Sequence, residues 1–286
     1  MTEAWHCIGL DGIELRGEAH GNPGAPPVVL LHGGGQTRGA WDGAACAVAE
    51  RGYRAIAIDL RGHGESEWSA DGDYGIDAFS GDVIRVVSTL SRPPVIIGAS
   101  LGGIAAMVAE ARGRIARALV LVDIAPRIET TGVARIVGFM SAHPAGFANV
   151  EEAADAIAAY LPDRPRPRAL SGLRRNLRQN AHGRLSWHWD PRFLDERRGP
   201  RNDDVALLHA AASQLAVPTL LVRGARSDLL SEAGAQEFLA LVPHARFVDV
   251  AGAGHMVAGD RNDAFTSALL AFLAELDCPG PQLRRD

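Results

Sequence analysis

A chain of 286 residues that is 47% hydrophobic and 22% charged holds enough apolar material for one large core, which excludes an intrinsically disordered protein. Its formal net charge of −5 excludes general nucleic-acid binding, which needs a basic face. No apolar run approaches the roughly 20 residues that cross a bilayer, so no membrane segment is expected. The first residues, MTEAWHCIGLDGIELRG, lack a basic segment followed by an apolar stretch, and a cytoplasmic protein is expected. Cys7, Cys46 and Cys278 have neither disulfide nor zinc-ligand spacing, so neither a metal nor a cofactor is expected. All 29 basic residues are arginine, a bias we read as genome composition.

In chain order, β-rich segments alternate with helical patterns. Strands are predicted at Trp5–Leu10, Ile13–Ala19, Val28–Leu31, Ala55–Asp59, Val95–Gly98, Ala118–Asp123, Thr219–Arg223 and Ala245–Val250. Continuous apolar runs such as VVLL and ALVLV suit strands buried on both faces of a parallel sheet. The short Asp11-Gly12 turn predicts that the first two strands form an antiparallel hairpin at one edge. Helices are predicted at Asp42–Arg51, Asp77–Leu90 (with Asp77 as N-cap), Leu101–Ala111, Glu232–Leu241 and Asn262–Leu276. Between about Pro126 and Leu215 the alternation stops. Helical patterns at Val133–Ala142, Val150–Leu161, Leu170–Gln179 and Val205–Gln214 appear there without a convincing strand. The expected organisation is a core of residues 1–125 and 216–286, interrupted by a helical insertion of residues 126–215.

Gly98-Ala99-Ser100-Leu101-Gly102 fits G-x-S-x-G between a buried strand and a helix. A serine on that tight turn is exposed above the sheet as a nucleophile. His32-Gly33-Gly34-Gly35 follows another buried strand, and the Gly34 and Leu101 amides are the candidates to hold an oxyanion. His255, on a glycine-rich loop after the last strand, is the candidate general base. Asp228, in the loop after TLLVRG, is favoured as the acid behind it because a loop residue reaches an imidazole easily. Asp123, ending LVLVD, is the alternative.

Together, HGGG, DLRGHGES at Asp59–Ser66, GASLGG, GARSD and GAGH resemble the α/β-hydrolase superfamily in its serine-nucleophile, capped form. The resemblance covers about Val28–Asp123 and Pro218–Ala274. It implies a mostly parallel, doubly wound sheet of about eight strands with an inserted helical cap. It also implies an acid after the penultimate strand, which supports Asp228, and a structural role for DLRGHGES. Relatives with aspartate as nucleophile, such as epoxide hydrolases and haloalkane dehalogenases, are disfavoured by Ser100. The expected activity is cleavage of a small-molecule carboxylic ester through an acyl-enzyme. A carbon–carbon bond hydrolase of diketone-like substrates, an acyl-CoA thioesterase and a non-catalytic small-molecule receptor remain open alternatives. Eleven arginines between Arg164 and Arg201 read either as a solvated face, which we favour, or as recognition of an anionic substrate. Trp187 and Trp189 suit an acyl pocket and cap packing equally well, and His188 lies between them.

Overall fold

In the computed structural model, which describes residues 2–162, 166, 170–195, 202–257 and 262–278, eight strands form one sheet. They are β1 (Thr2–Ile8), β2 (Glu14–His20), β3 (Pro27–Leu31), β4 (Arg54–Ile58), β5 (Val95–Ala99), β6 (Ala118–Val122), β9 (Thr219–Gly224) and β10 (Arg246–Val250), while β7 (Leu177–Gln179) and β8 (Leu185–Trp187) form a separate pair. The sheet runs β1-β2-β4-β3-β5-β6-β9-β10, antiparallel at β1–β2 and β2–β4 and parallel elsewhere. All eight core strands predicted from the sequence are present. Alternate side chains of each inner strand face opposite layers, as the period of two demands.

Val29, Leu31, Ile56, Ile58, Ile96, Leu119, Leu121 and Leu221 pack in one core cluster. The helices over that face are α2 (Ile76–Ser88), α3 (Leu101–Gly113), α7 (Asn202–Ser213) and α8 (Glu232–Leu241). Val28, Leu30, Ala55, Ala57, Val95, Ile97, Val120 and Val222 form the other cluster, under α1 (Asp42–Glu50) and α9 (Asn262–Asp277). The N-cap of α2 is Gly75 rather than Asp77; Asp77 lies in the first turn and pairs with Arg112.

The insertion contains α4 (Thr130–Ser141), α5 (Val150–Tyr160) and a short α6 (Ser171–Arg174). Two expectations fail here. The segment 170–179 is not one helix, because α6 stops after four residues and the chain turns into β7, which pairs with β8 in an antiparallel hairpin. An insertion running to residue 215 would also take in α7. Its Leu208, Ala211 and Ala212 pack in the core cluster with α3 and α8, not in the separate cap cluster around Met140, Phe147, Trp187 and Trp189.

The cap hairpin is fastened to the core through DLRGHGES. His188 Nδ1 accepts the Gly64 amide at 2.7 Å, Asp190 N donates to the Gly62 carbonyl at 2.9 Å, and Arg178 donates to the Gly64 carbonyl. Tyr74 donates to Asp190 Oδ2 at 2.6 Å, and Arg192 binds both Asp190 and the Ser69 and Ala70 carbonyls. Arg184 holds the Ala145 and Gly146 carbonyls, and Arg166 pairs with Asp155. These arginines are therefore occupied within the chain. Arg164, Arg168, Arg197, Arg198 and Arg201 lie outside the described residues.

Candidate active site

Ser100 follows β5 directly and starts α3. Its backbone, at φ 46° and ψ −115°, lies outside the regions ordinary L-residues occupy. Such a turn costs about 1–3 kcal/mol and persists only where the surroundings enforce it. Gly102 is part of that enforcement, since a Cβ there would overlap the Leu31 and His32 carbonyls. Its amide donates to His32 O at 3.2 Å, so α3 sits directly against the end of β3.

The HGGG loop is oriented by two buried histidines. His32 Nε2 accepts the Leu60 amide at 3.0 Å, which puts the ring proton on Nδ1, where it is donated to Gly33 O at 2.8 Å. Because a trans peptide sets C=O and N–H in opposite directions, fixing the Gly33 carbonyl turns the Gly34 N–H away from His32. Gly33 N–H donates to Gln36 Oε1 at 3.0 Å, and Gly35 N–H to His63 Nε2 at 3.1 Å. Gly34 N–H and Leu101 N–H meet no acceptor among the described residues. Burial lowers the His32 pKa to about 4 and that of His63 to about 3, with the neighbouring His32 adding to the latter shift. Both rings therefore favour the neutral form and brace the loop, each with both nitrogens bonded to backbone groups.

His255 stands on the loop after β10, and its Nδ1 lies 2.7 Å from Asp123 Oδ2. Asp123 is the residue immediately after β6. It is 1% exposed and has a left-handed backbone (φ 53°). Its Oδ1 accepts the Gly224 amide at 2.9 Å, and its Oδ2 also accepts the Ser227 hydroxyl. Gly224 is needed for this approach, since a Cβ there would strike the Gly254 carbonyl next to His255. The acid expected from the sequence is thus corrected. Asp228 is 38% exposed and binds Arg135 of α4 at 2.7 Å instead of the imidazole. Arg135 also donates to the Tyr160 carbonyl and lies over the Tyr160 ring, so Asp228 ties the core to the cap.

Ser100, His255, Gly33, Gly34, Gly35 and Leu101 line one cavity of about 770 Å³. Under the cap it is walled by Ile136, Phe139, Met140, Ile157, Trp187 and Trp189. Its lining also includes Glu18, Asp42, Asp59 and Glu65 together with Arg38 and Arg175. Arg38 is held by Asp59, Glu18 and Glu65, so the charged lining carries more negative than positive groups.

A family model described as the alpha/beta hydrolase family matches residues 28–268. The chain belongs to that family. An sn-1-specific diacylglycerol lipase of Mus musculus is 30% identical to this hydrolase over 89% of the chain and 83% of the lipase. An esterase of Mycobacterium tuberculosis is 29% identical over 83% of the chain and 79% of the esterase. A solved structure of an esterase from that organism aligns with a TM-score of 0.76 at 26% identity, covering 96% of this chain and 92% of the other. The structure of E-2-(acetamidomethylene)succinate hydrolase aligns with a TM-score of 0.82 over 96% of this chain and all of the other; at 22% identity it shows the fold alone.

Of the hydrolase's sequence-expected site residues, Ser100, His255, Gly34 and Leu101 converge on the cavity, and Asp228 does not reach it. The tryptophans flanking His188 both line the cavity and pack in the cap, whereas His188 uses its Nδ1 to hold the Gly64 amide. DLRGHGES is tied into the fold: Asp59 accepts the Arg38 and Glu65 amides, and Arg61 makes a buried two-pronged pair with Asp82 at 2.6 and 2.7 Å. Gln36 and Ser227, which sequence reasoning missed, each fix a site group through a side chain that carries no motif signal.

Proposed function

We propose that this hydrolase cleaves carboxylic esters of predominantly apolar small molecules through an acyl-enzyme on Ser100. The supporting observation is the bond from His255 to the buried Asp123, with His255 at the cavity that Ser100 and two unclaimed amides also line. His255 accepts the Ser100 proton as Oγ attacks the acyl carbon. Asp123 keeps the ring proton on Nδ1, leaving Nε2 free for that transfer, and stabilises the imidazolium that forms. The Gly34 and Leu101 amides meet the oxyanion; one such donor is typically worth about 3 kcal/mol. The protonated His255 then gives its proton to the departing alkoxide. Water, deprotonated by the same ring, releases the acid and restores Ser100.

The apolar wall under the cap favours an aliphatic or aromatic acyl or alcohol group. The engagement of Arg166, Arg178, Arg184 and Arg192 within the chain and the excess of carboxylates in the charged lining disfavour coenzyme A thioesters and other anionic substrates. The test is a series of p-nitrophenyl esters of increasing acyl length, run beside acyl-CoA and diketone panels and a fluorophosphonate probe. Esters are expected to turn over best and the probe to label Ser100. Ser100→Ala is expected to lower kcat by about a million-fold. Failure of labelling, or a Ser100→Ala variant that retains most turnover, would overturn the reading; faster diketone cleavage would reassign the substrate.

A further inference from the structure

We propose that Ser227 is a positioning residue that holds the Asp123 carboxylate in place for His255. This rests on the reading of Ser100, His255 and Asp123 given above. A serine hydroxyl has one proton to donate and two lone pairs to accept with. In Ser227 both acceptor sites are taken, by the Leu229 amide at 3.1 Å and the Leu230 amide at 3.2 Å. The hydroxyl proton is thereby directed at Asp123 Oδ2, the same oxygen that His255 Nδ1 meets at 2.7 Å. The Gly224 amide fixes the other carboxylate oxygen at 2.9 Å, and the Ser227 amide closes the turn onto Gly224 O at 2.8 Å.

One four-residue turn, Gly224–Ser227, thus clamps both oxygens of the acid while the chain of Asp123 belongs to a different strand. A carboxylate attached by a single Cα–Cβ–Cγ arm rotates about two torsions. Two donors from a rigid turn remove that freedom and leave one lone-pair direction of Oδ2 for the imidazole. The hydroxyl touches neither substrate nor the reacting atoms, so it acts through Asp123 alone.

Ser227→Thr and Ser227→Val give side chains of one shape that differ by a hydroxyl against a methyl. Both are to be assayed on an activated p-nitrophenyl ester, below the melting temperature of either. The threonine variant is expected to show at least about tenfold higher kcat than the valine variant, with KM equal within about twofold. In an Asp123→Asn background the same two substitutions should differ by less than about twofold, because the group the hydroxyl acts on is gone. Equal kcat for the threonine and valine variants in the wild-type background would overturn the proposal. So would a difference that persists undiminished in the Asp123→Asn background, which would mark a general packing effect. If Asp123→Asn alone keeps near-full kcat, the triad reading itself has failed, and this inference with it.

Discussion

Asp123 receives three hydrogen bonds in a site that is 1% exposed, and one of them comes from the imidazole. An amide at this position would present an N–H where the imidazole needs an acceptor, favouring the wrong ring tautomer. Asp123→Asn is therefore expected to lower kcat by about ten-thousand-fold, with KM little changed, in steady-state ester hydrolysis. Asp228→Asn is expected to keep kcat within about threefold. Its pair with Arg135 is solvent-exposed, and breaking it should cost at most about 1 kcal/mol in urea unfolding. The two aspartates were hard to rank from sequence because neither loop reach nor the resemblance, the two grounds for preferring Asp228, says which carboxylate faces the imidazole. Loop length made Asp228 the better candidate, whereas the left-handed exit of the chain from β6, which turns Asp123 toward His255, leaves no mark in LVLVD. Ser100 and His255 were legible because each sits in a glycine pattern whose spacing reflects a geometric demand.

Elements transmit these demands. The amino end of α3 rests on the carbonyls that end β3, and a methyl group at position 102 has no room there. Gly102→Ala is expected to destabilise the fold by about 1–3 kcal/mol and to lower kcat by displacing the Leu101 amide; urea titration and ester kinetics check the two effects separately. The turn after β4 depends on Arg61 and Asp82, both at most 3% exposed. Removing the guanidinium leaves a buried carboxylate uncompensated, so Arg61→Met should cost about 3–5 kcal/mol by the same titration. Core strands were readable because both of their faces are buried and their sequences are continuously apolar. The β7–β8 hairpin was not, since three-residue strands are too short to show a period, and LRQ and LSW carry no turn signature of their own. The helix α7 was recognised as a helix but assigned to the wrong layer, because an amphipathic pattern does not say which surface it faces.

For the molecule as a whole, the neutral histidines beneath the oxyanion loop set a pH dependence. The unfolded chain binds protons at these rings from about the ordinary value of 6.5 downward, whereas the folded chain does so only at about 4 for His32 and about 3 for His63. Between those limits the unfolded state binds more protons, so stability is complete above about pH 6.5 and falls with acid. Each ring contributes up to about 1.4 kcal/mol per pH unit. Denaturant midpoints measured at pH 7, 6 and 5 are expected to decline steadily, and a His63→Gln variant should show a shallower decline. The sheet also joins two of the three proposed catalytic side chains. Ala99 and Val122 are register partners on neighbouring parallel strands, and Ser100 and Asp123 are the next residue on each, both with positive φ. Nucleophile and acid are therefore bolted to adjacent rails of one rigid frame, and heating cannot separate them without tearing β5 from β6. The imidazole is carried instead by the turn after Val250, beyond the register of β10 with β9. Reversible loss of turnover on warming, ahead of global melting, would accordingly report parting of His255 from Asp123 with the two sheet-borne groups still in place.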